Sequence, residues 1–490
     1  MIYFEKEKEE MQHITGLYPF WTDELFDNEK TTAILSVNKP ECAGICYNFD
    51  KPWDGNCTDF LSIIREDGFL RLYYEAWSVP STGPIRVCYA ESHDGGKSFR
   101  AVNVGLYEYE GSFENNIIVP ETPDNFTVMK DENPECPPEM KYKATMHRFN
   151  KELNRNELIL LCADDGIHFK EYGAISHSLA YDSQNVLLWD RHKKKYFCYM
   201  RNFHPPKTVC RDTLNEESTR GISVMESTDL KNWTEPKELD FWGKEDYPLY
   251  TNCIMPYVYD DRYFIGFPSR YVERKEWTDS FERLCGKEQR KWRMYELSYG
   301  QPRFGLAITD CVFMSSTDNY KWHRFDEACL SPDYECEYNW LYGDCFPAVS
   351  GLVPTPGRFE GYPDELSIYV WKHHWGVSPV VQLERLVFRR DGFASYKAGY
   401  DEKRIVTKPF TFSGKTLFIN FKTSARGYIK IRVLDEDGNS LCGYETCEIF
   451  GNTISRQVDF EKSLSALSGK SIRLEFTLCD AEIYSMTFSE

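Results

Sequence analysis

The sequence predicts an all-β protein, a five-bladed β-propeller followed by a C-terminal β-sandwich. Three observations carry that expectation. Aromatic residues make up 16% of the 490 positions, with 32 Tyr and 32 Phe, which suits half-buried pleated surfaces. Helical periodicity is scarce, and short alternating apolar runs end in Gly, Asp and Asn turns. Finally, one turn recurs at intervals of about 64 to 89 residues, the span of a four-stranded blade with decorated loops.

The turn reads SHDGGKSF (Ser92 to Phe99), ADDGIHF (Ala163 to Phe169), STDLKNW (Ser227 to Trp233), STDNYKW (Ser316 to Trp322) and RRDGFAS (Arg390 to Ser395). Asp94, Asp165, Asp229, Asp318 and Asp391 are expected to cap their own turn backbone. Around each turn four strands are predicted. The first unit takes Thr58 to Arg65, Phe69 to Trp77, Ile85 to Glu91 and Ser98 to Asn103. The second takes Phe126 to Asp131, Tyr142 to Phe149, Glu157 to Ala163 and Phe169 to Tyr172; the third, Gln184 to Trp189, Tyr196 to Phe203, Gly221 to Glu226 and Trp233 to Pro236. The fourth takes Thr251 to Tyr259, Tyr263 to Tyr271, Phe304 to Ser315 and Trp322 to Phe325, interrupted by a charged loop or short helix from Glu273 to Arg303. The fifth takes Asp344 to Val353, Leu366 to His373, Val381 to Phe388 and Phe393 to Tyr396. A boundary is expected at Ala398 to Lys403, giving a propeller over 1–398 and a sandwich over 399–490.

Composition narrows the function classes. Lys and Arg number 58 against 77 Asp and Glu, a formal charge of −19 with no basic block, so nucleic acid and anionic membranes are not expected partners. The first residues, MIYFEKEKEEMQHITG, hold no apolar signal region, and no stretch reaches the roughly 18 apolar residues of a span. A cytoplasmic location is expected. Seventeen Cys lie scattered, several (Cys88, Cys162, Cys198, Cys253, Cys479) among apolar strand residues, and are read as reduced small hydrophobes. Neither Cys42/Cys46 nor Cys442/Cys447 is followed by partners at zinc-site spacing. P-loop, GxGxxG, GxSxG and HExxH signatures are absent.

Inner strands of a propeller converge on a shared channel, so polar residues at their ends are the functional candidates. CTDF places Asp59 at the first inner strand; Asn115 and Asn116 precede the second, which ends at Asp131. AYDSQNVLLWD supplies Asp182, Gln184 and Asn185, YTN supplies Asn252, and EYNWLYGDCFP supplies Glu337 and Asp344. Carboxylates arriving from separate blades match the needs of acetal cleavage, one proton donor and one ionised nucleophile or base. The alternative for each is a backbone-capping role around the channel. Trp53 with Asp54, and the WKHHW run containing His374 and Trp375, offer stacking faces and an imidazole for sugars. Only one of His373 and His374 can face the channel, because they are adjacent on a strand. Arg270 is either a bidentate clamp for substrate or the partner of a nearby acid.

These repeats, with a following sandwich, resemble the five-bladed propeller glycoside hydrolases of families 32, 43 and 68, over essentially the whole chain. SHDGGKSF is also similar to the Asp box of sialidases. The chain lacks a WMNDPNG-like start, an RDP and an EC pair, which implies a divergent branch. The family pattern takes an Asp from the first inner strand, an Asp from a middle blade and a Glu acid from a later one. The resemblance thus implies catalytic roles for Asp59 and Asp182, with Glu337 or Asp344 as the acid. Trp53, Asp54, Asn116, Asp131, Gln184, Asn185, Asn252, Arg270, His374 and Trp375 are the expected substrate-binding residues. The expected activity is removal of a terminal sugar from a short oligosaccharide. A carbohydrate-binding propeller without hydrolysis and a glycoside phosphorylase are the alternatives. No cofactor or metal is required, with Ca²⁺ in the channel left open; oligomeric state is not predicted.

Overall fold

The computed structural model describes residues 11–80, 83–122, 124–207, 218–297, 301–376 and 380–490. They form two units, one spanning Lys39–Phe388 and one joining residues 11–38 to Arg389–Glu490.

Five sheets make up the first unit, a five-bladed β-propeller. Blade I pairs Cys57–Arg65, Leu70–Trp77, Ile85–Ser92 and Arg100–Ala101, with Ile117–Thr122 added to its third strand. Blade II runs Thr127–Lys130, Tyr142–Asn150, Arg155–Ala163 and Lys170–Ser176. Blade III runs Val186–Asp190, Lys195–His204, Thr219–Ser227 and Lys237–Glu238. In blade IV, Met255–Pro256 and Phe264–Gly266 lead to Ala307–Ser316, which also pairs with Ser269–Glu273 and His323–Leu330. Blade V contains Val353–Thr355, Glu365–Lys372 and Gln382–Phe388. The inner strand Cys57–Arg65 is buried at every position but its last, so it reads as a continuous apolar run with polar interruptions rather than a clean alternation.

The outer strand of blade V corrects the expectation. Glu41–Asn48 pairs with Gln382–Phe388, so an N-terminal strand shuts the ring and covers its last open edge. The stretch expected there, Phe393 to Tyr396, overlaps Ala394–Ala398, which pairs with Ile34–Val37 and Arg473–Ser489 in the second unit. Alternation marks a segment as a strand but says nothing about which edge it meets.

Four of the five turn aspartates do what Asp turns require. Asp94 Oδ1 accepts from the backbone N–H groups of Lys97 and Ser98 at 2.9 and 3.0 Å. Asp165, Asp229 and Asp318 accept equivalent pairs from Ile167/His168, Lys231/Asn232 and Tyr320/Lys321. Asp391 differs: it is buried, and its Oδ2 accepts from Ser485 Oγ at 2.7 Å.

The second unit is built on two long antiparallel strands, Thr416–Leu434 and Arg473–Ser489. Its core includes Phe20, Leu25 and Phe26 from the N-terminal stretch beside Phe410, Ile431 and Phe476. That shared core moves the boundary from the expected 398/399 to 388/389 and takes residues 11–38 out of the propeller.

The interruption of blade IV is helical, with Asp279–Arg283, Lys287–Trp292 and Arg303–Leu306. Arg290 and Arg293 are buried there and donate to backbone carbonyls of Trp340, Cys285, Tyr342 and His374. Two cations thereby tie the loops before and after the inner strands of blade V to the insertion. Among the described residues no helix is long and apolar enough to cross a membrane.

Candidate active site

A polar residue stands where each blade enters its inner strand: Asp59, Asp124, Asp182, Asn252 and Asp344. In four blades the next residue is left-handed, Phe60 (φ 46°), Asn125 (64°), Cys253 (43°) and Cys345 (59°). Such conformations cost about 1–3 kcal/mol each in non-glycine residues and persist where surrounding packing imposes them. In blade I the kink lies in an irregular register between Asp59, which pairs with Glu75, and Ser62, which pairs with Tyr73, so Phe60 and Leu61 drop out of the ladder.

Asp59, Asp124 and Asp182 form an electrostatic set. Burial pushes the Asp59 carboxyl up to about 7, opposed by hydrogen bonds from Trp77 Nε1 (3.2 Å) and Cys57 Sγ (3.6 Å), with Asp182 raising it further. Burial also drives Asp124 well above the usual carboxylate range, and the charges of Asp182 and Asp59 add to it, while Arg201 pulls the other way. Glu75 lies behind them, raised by burial and then by Asp124 and Asp59, with Oε1 accepting from Phe126 N at 2.7 Å. Asp182 has a side chain 60% exposed and stands 3.5 Å from Arg201 Nη1. Buried carboxylates at the back and an exposed one at the front describe a mouth open to solvent.

The opposite wall is cationic and aromatic. The Arg201 guanidinium lies 4.4 Å from the Tyr250 ring, and Arg220 lies 4.6 Å from the Tyr271 ring. Tyr342 donates to the Tyr250 hydroxyl at 2.7 Å. Arg201 Nε and Nη2, Arg220 Nε and the Tyr271 hydroxyl are buried without hydrogen-bond partners. Unpaired buried donors are costly unless something meets them.

The structure brings together two of the four expected catalytic residues, Asp59 and Asp182. Glu337 is exposed, its backbone against Gly286 at the start of a helix of the insertion, and it does not join the set. Asp344 is buried and raised to about 6 by desolvation; its Oδ2 accepts from Leu341 N at 2.9 Å and its charged neighbours are Arg293 and Arg290. It caps the loop that precedes it, the backbone alternative weighed above.

Most expected binding residues prove to be scaffold. Trp53 Nε1 donates to Asn116 Oδ1 at 2.6 Å, Asn116 Nδ2 donates to the Tyr74 hydroxyl, and Tyr74 donates to Asp54 Oδ1 at 3.0 Å. Asp131 forms a buried ion pair with Lys143 and accepts from the Tyr196 hydroxyl at 2.7 Å. Gln184 donates from the entry of blade III to the Leu61 carbonyl of blade I, Asn252 donates to the Gln184 carbonyl, and Asn185 donates to the Tyr181 carbonyl within its own entry loop. Arg270 is held bidentate by Asp310, 2.9 and 2.5 Å, so it clamps an acid of its own blade. His374 and Trp375 stay with the site: both are buried, stacked at 5.1 Å, and Trp375 meets Trp77 edge-on at 6.3 Å.

Sequence reading missed Asp124, Glu75, Arg201 and Cys57. For Asp124 a signal existed, since TDF, PDN, TNC and GDC share one small pattern at blade entries, an Asp or Asn flanked by turn-compatible residues. Arg201 carried none, because an arginine inside an apolar strand reads as a defect until its partner arrives from another loop. Cys57, Asp59 and His374 each offer a donor atom within 4.8 Å of the other two, the one such group among the described residues. A separate cavity of about 780 Å³ opens among Arg65, Lys130, Trp189, Tyr257 and Pro354, at the far ends of the inner strands.

No family model matches the sequence, and no curated protein does. The chain is similar to several solved structures. A thermostable family-43 glycoside hydrolase is 12% identical over 72% of this chain and 96% of its own, at a TM-score of 0.42. A structure described with the family-130 mannoside phosphorylases, a family containing hydrolases of β-1,2-mannosidic linkages in Candida mannan, is 12% identical over 79% and 99%, at 0.42. An N-acetylgalactosamine deacetylase from F. plautii is 12% identical over 77% and 94%, at 0.38.

Proposed function

We propose that the propeller cleaves a glycosidic bond of an oligosaccharide by carboxylate acid/base chemistry at the mouth of its channel. The observation supporting this is the convergence of Asp59, Asp124 and Asp182 from three successive blades, with Arg201 beside the exposed member. Glycoside cleavage needs one carboxyl that delivers a proton to the leaving oxygen and another that acts as nucleophile or as base for water. Asp124 suits the donor, being half-buried among negative neighbours. Asp182, open to solvent and held by Arg201, suits the carboxylate role. Asp59 is engaged by Trp77 and Cys57 and positions the pair. Tyr250, Tyr342 and Trp375 supply faces for the sugar ring.

A panel of aryl-glycosides and fructo-, arabino-, manno- and sialo-oligosaccharides tests the reading. Asp124→Asn and Asp182→Asn are each expected to lower kcat by about 10²- to 10⁴-fold with an unchanged circular-dichroism spectrum. Absence of product from wild-type protein on every substrate, or full turnover by both variants, rejects it. The unpartnered donors of Arg201 and Arg220 favour phosphorolysis as a second reading. Product formation that requires inorganic phosphate and yields a sugar phosphate would select it over hydrolysis.

A further inference from the structure

We infer that Cys57, Asp59 and His374 form a transition-metal site of the zinc class in the wall of the channel, beyond the carboxylate chemistry proposed above. The donor set is one sulfur, one oxygen and one nitrogen, all from buried side chains. That mixture selects a borderline-soft ion such as Zn²⁺ or Co²⁺ over Ca²⁺ or Mg²⁺, which take oxygen alone.

Geometry agrees. Bonds of about 2.3 Å to sulfur and about 2.0 Å to oxygen at a tetrahedral centre set the S···O edge at about 3.5 Å. Cys57 Sγ and Asp59 Oδ2 are 3.6 Å apart. Cys57 and Asp59 are two residues apart on one strand, so both side chains leave the same face. His374 arrives from the loop after Glu365–Lys372, 315 positions later in the chain. Its Nδ1–H donates to the Thr58 carbonyl at 3.3 Å, which leaves Nε2 as the lone-pair nitrogen. A backbone carbonyl on the second ring nitrogen is the usual orienting partner of a metal-bound histidine.

The imidazole is also held in place. Gly343 has φ +100°, and a Cβ there would stand 2.2 Å from His374 Cδ2, so the loop can close on the ring only as glycine. His373 and Trp375 on either side are left-handed at 64° and 58°, a strained setting that fixes the residue between them. Charge gives a reason for a cation. Asp59, Asp124, Glu75 and Asp182 gather with Arg201 as the facing cation, and Arg293, near Cys57 and His374, is spent on the carbonyls of Tyr342 and His374. A divalent ion bound by a thiolate and a carboxylate would reduce that excess. Three protein ligands leave a fourth position for water or substrate, the count found in catalytic rather than structural zinc sites.

The test uses the full-length protein, stripped with chelator and titrated with Co²⁺ and Zn²⁺. One equivalent of tightly bound metal is expected, with thiolate-to-cobalt charge-transfer absorption and a rise in melting temperature. Cys57→Ser should abolish the charge-transfer band, and His374→Gln should weaken binding by more than the roughly 10- to 100-fold typical of losing an outer partner. X-ray absorption of the zinc-loaded wild type should show one sulfur among nitrogen and oxygen neighbours, a readout that stands even where a variant does not fold. No retained metal, a shell of several sulfurs or of none, or a band unchanged in Cys57→Ser would overturn the assignment. None of these measurements involves a sugar, so the site can fail while glycosidic cleavage stands, and the reverse.

Discussion

At the scale of single residues, buried acids divide by what their oxygens touch. Asp54 is fully enclosed and raised to about 7 by desolvation, against 3.8 in the exposed chain. A folded-state value above the unfolded one means its contribution is complete below about pH 4 and is lost as pH climbs through 7. Asp54→Asn removes that term, so between pH 5 and 7 the variant should lose about 2 kcal/mol less stability than wild type. Urea midpoints at the two pH values measure the difference; parallel curves would refute it. Asp131 matters through its ion pair, since it and Lys143 both have fully buried side chains. Asp131→Ala strands an ammonium in the interior and should cost about 3–5 kcal/mol. Residual activity at a permissive temperature should keep its KM, the readout that separates scaffold from substrate contact.

At the scale of elements, the Asp turns and the closing strand have unequal weight. A turn aspartate serves only its own hairpin: Asp94→Ala removes acceptors for Lys97, Ser98 and Ser92 Oγ and should cost about 1 kcal/mol, the scale of a lost cap, leaving turnover unchanged. Glu41–Asn48 serves the ring. Its loss uncovers the ladder edge of Gln382–Phe388, so a chain limited to Phe49–Phe388 is expected to aggregate where one limited to Lys39–Phe388 does not, seen as loss of the monodisperse peak in size-exclusion chromatography. The recurring turns were legible because Asp, a turn residue and an aromatic must lie within a few positions of one another. The closing strand was not, since its partner lies some 340 residues away and local alternation is the same at any free edge.

At the scale of the whole molecule, the two units predict where the chain can be cut. A chain limited to Lys39–Phe388 contains all five sheets and their closing strand, and should yield soluble, cooperatively melting protein. A chain ending at residue 398 keeps Ile14, Phe20, Leu25 and Phe26 but discards the core they pack into, and should precipitate or expose dye-binding surface. Equal behaviour of the two would contradict the division. The site depends on the same closure: Asp59, Asp124, Asp182 and His374 belong to four different blades and meet only when the ring is complete.

The amino-acid order alone determined the strand content, four of the five turn formers and the entry positions Asp59 and Asp182, because each rests on neighbours a few residues apart. Tertiary structure decided which acids share a field, which are tied to backbone, that Arg270 answers Asp310, and that a thiol, a carboxylate and an imidazole face one another. Those outcomes depend on distances between segments hundreds of residues apart, and such distances are set by blade packing and ring closure rather than by local pattern.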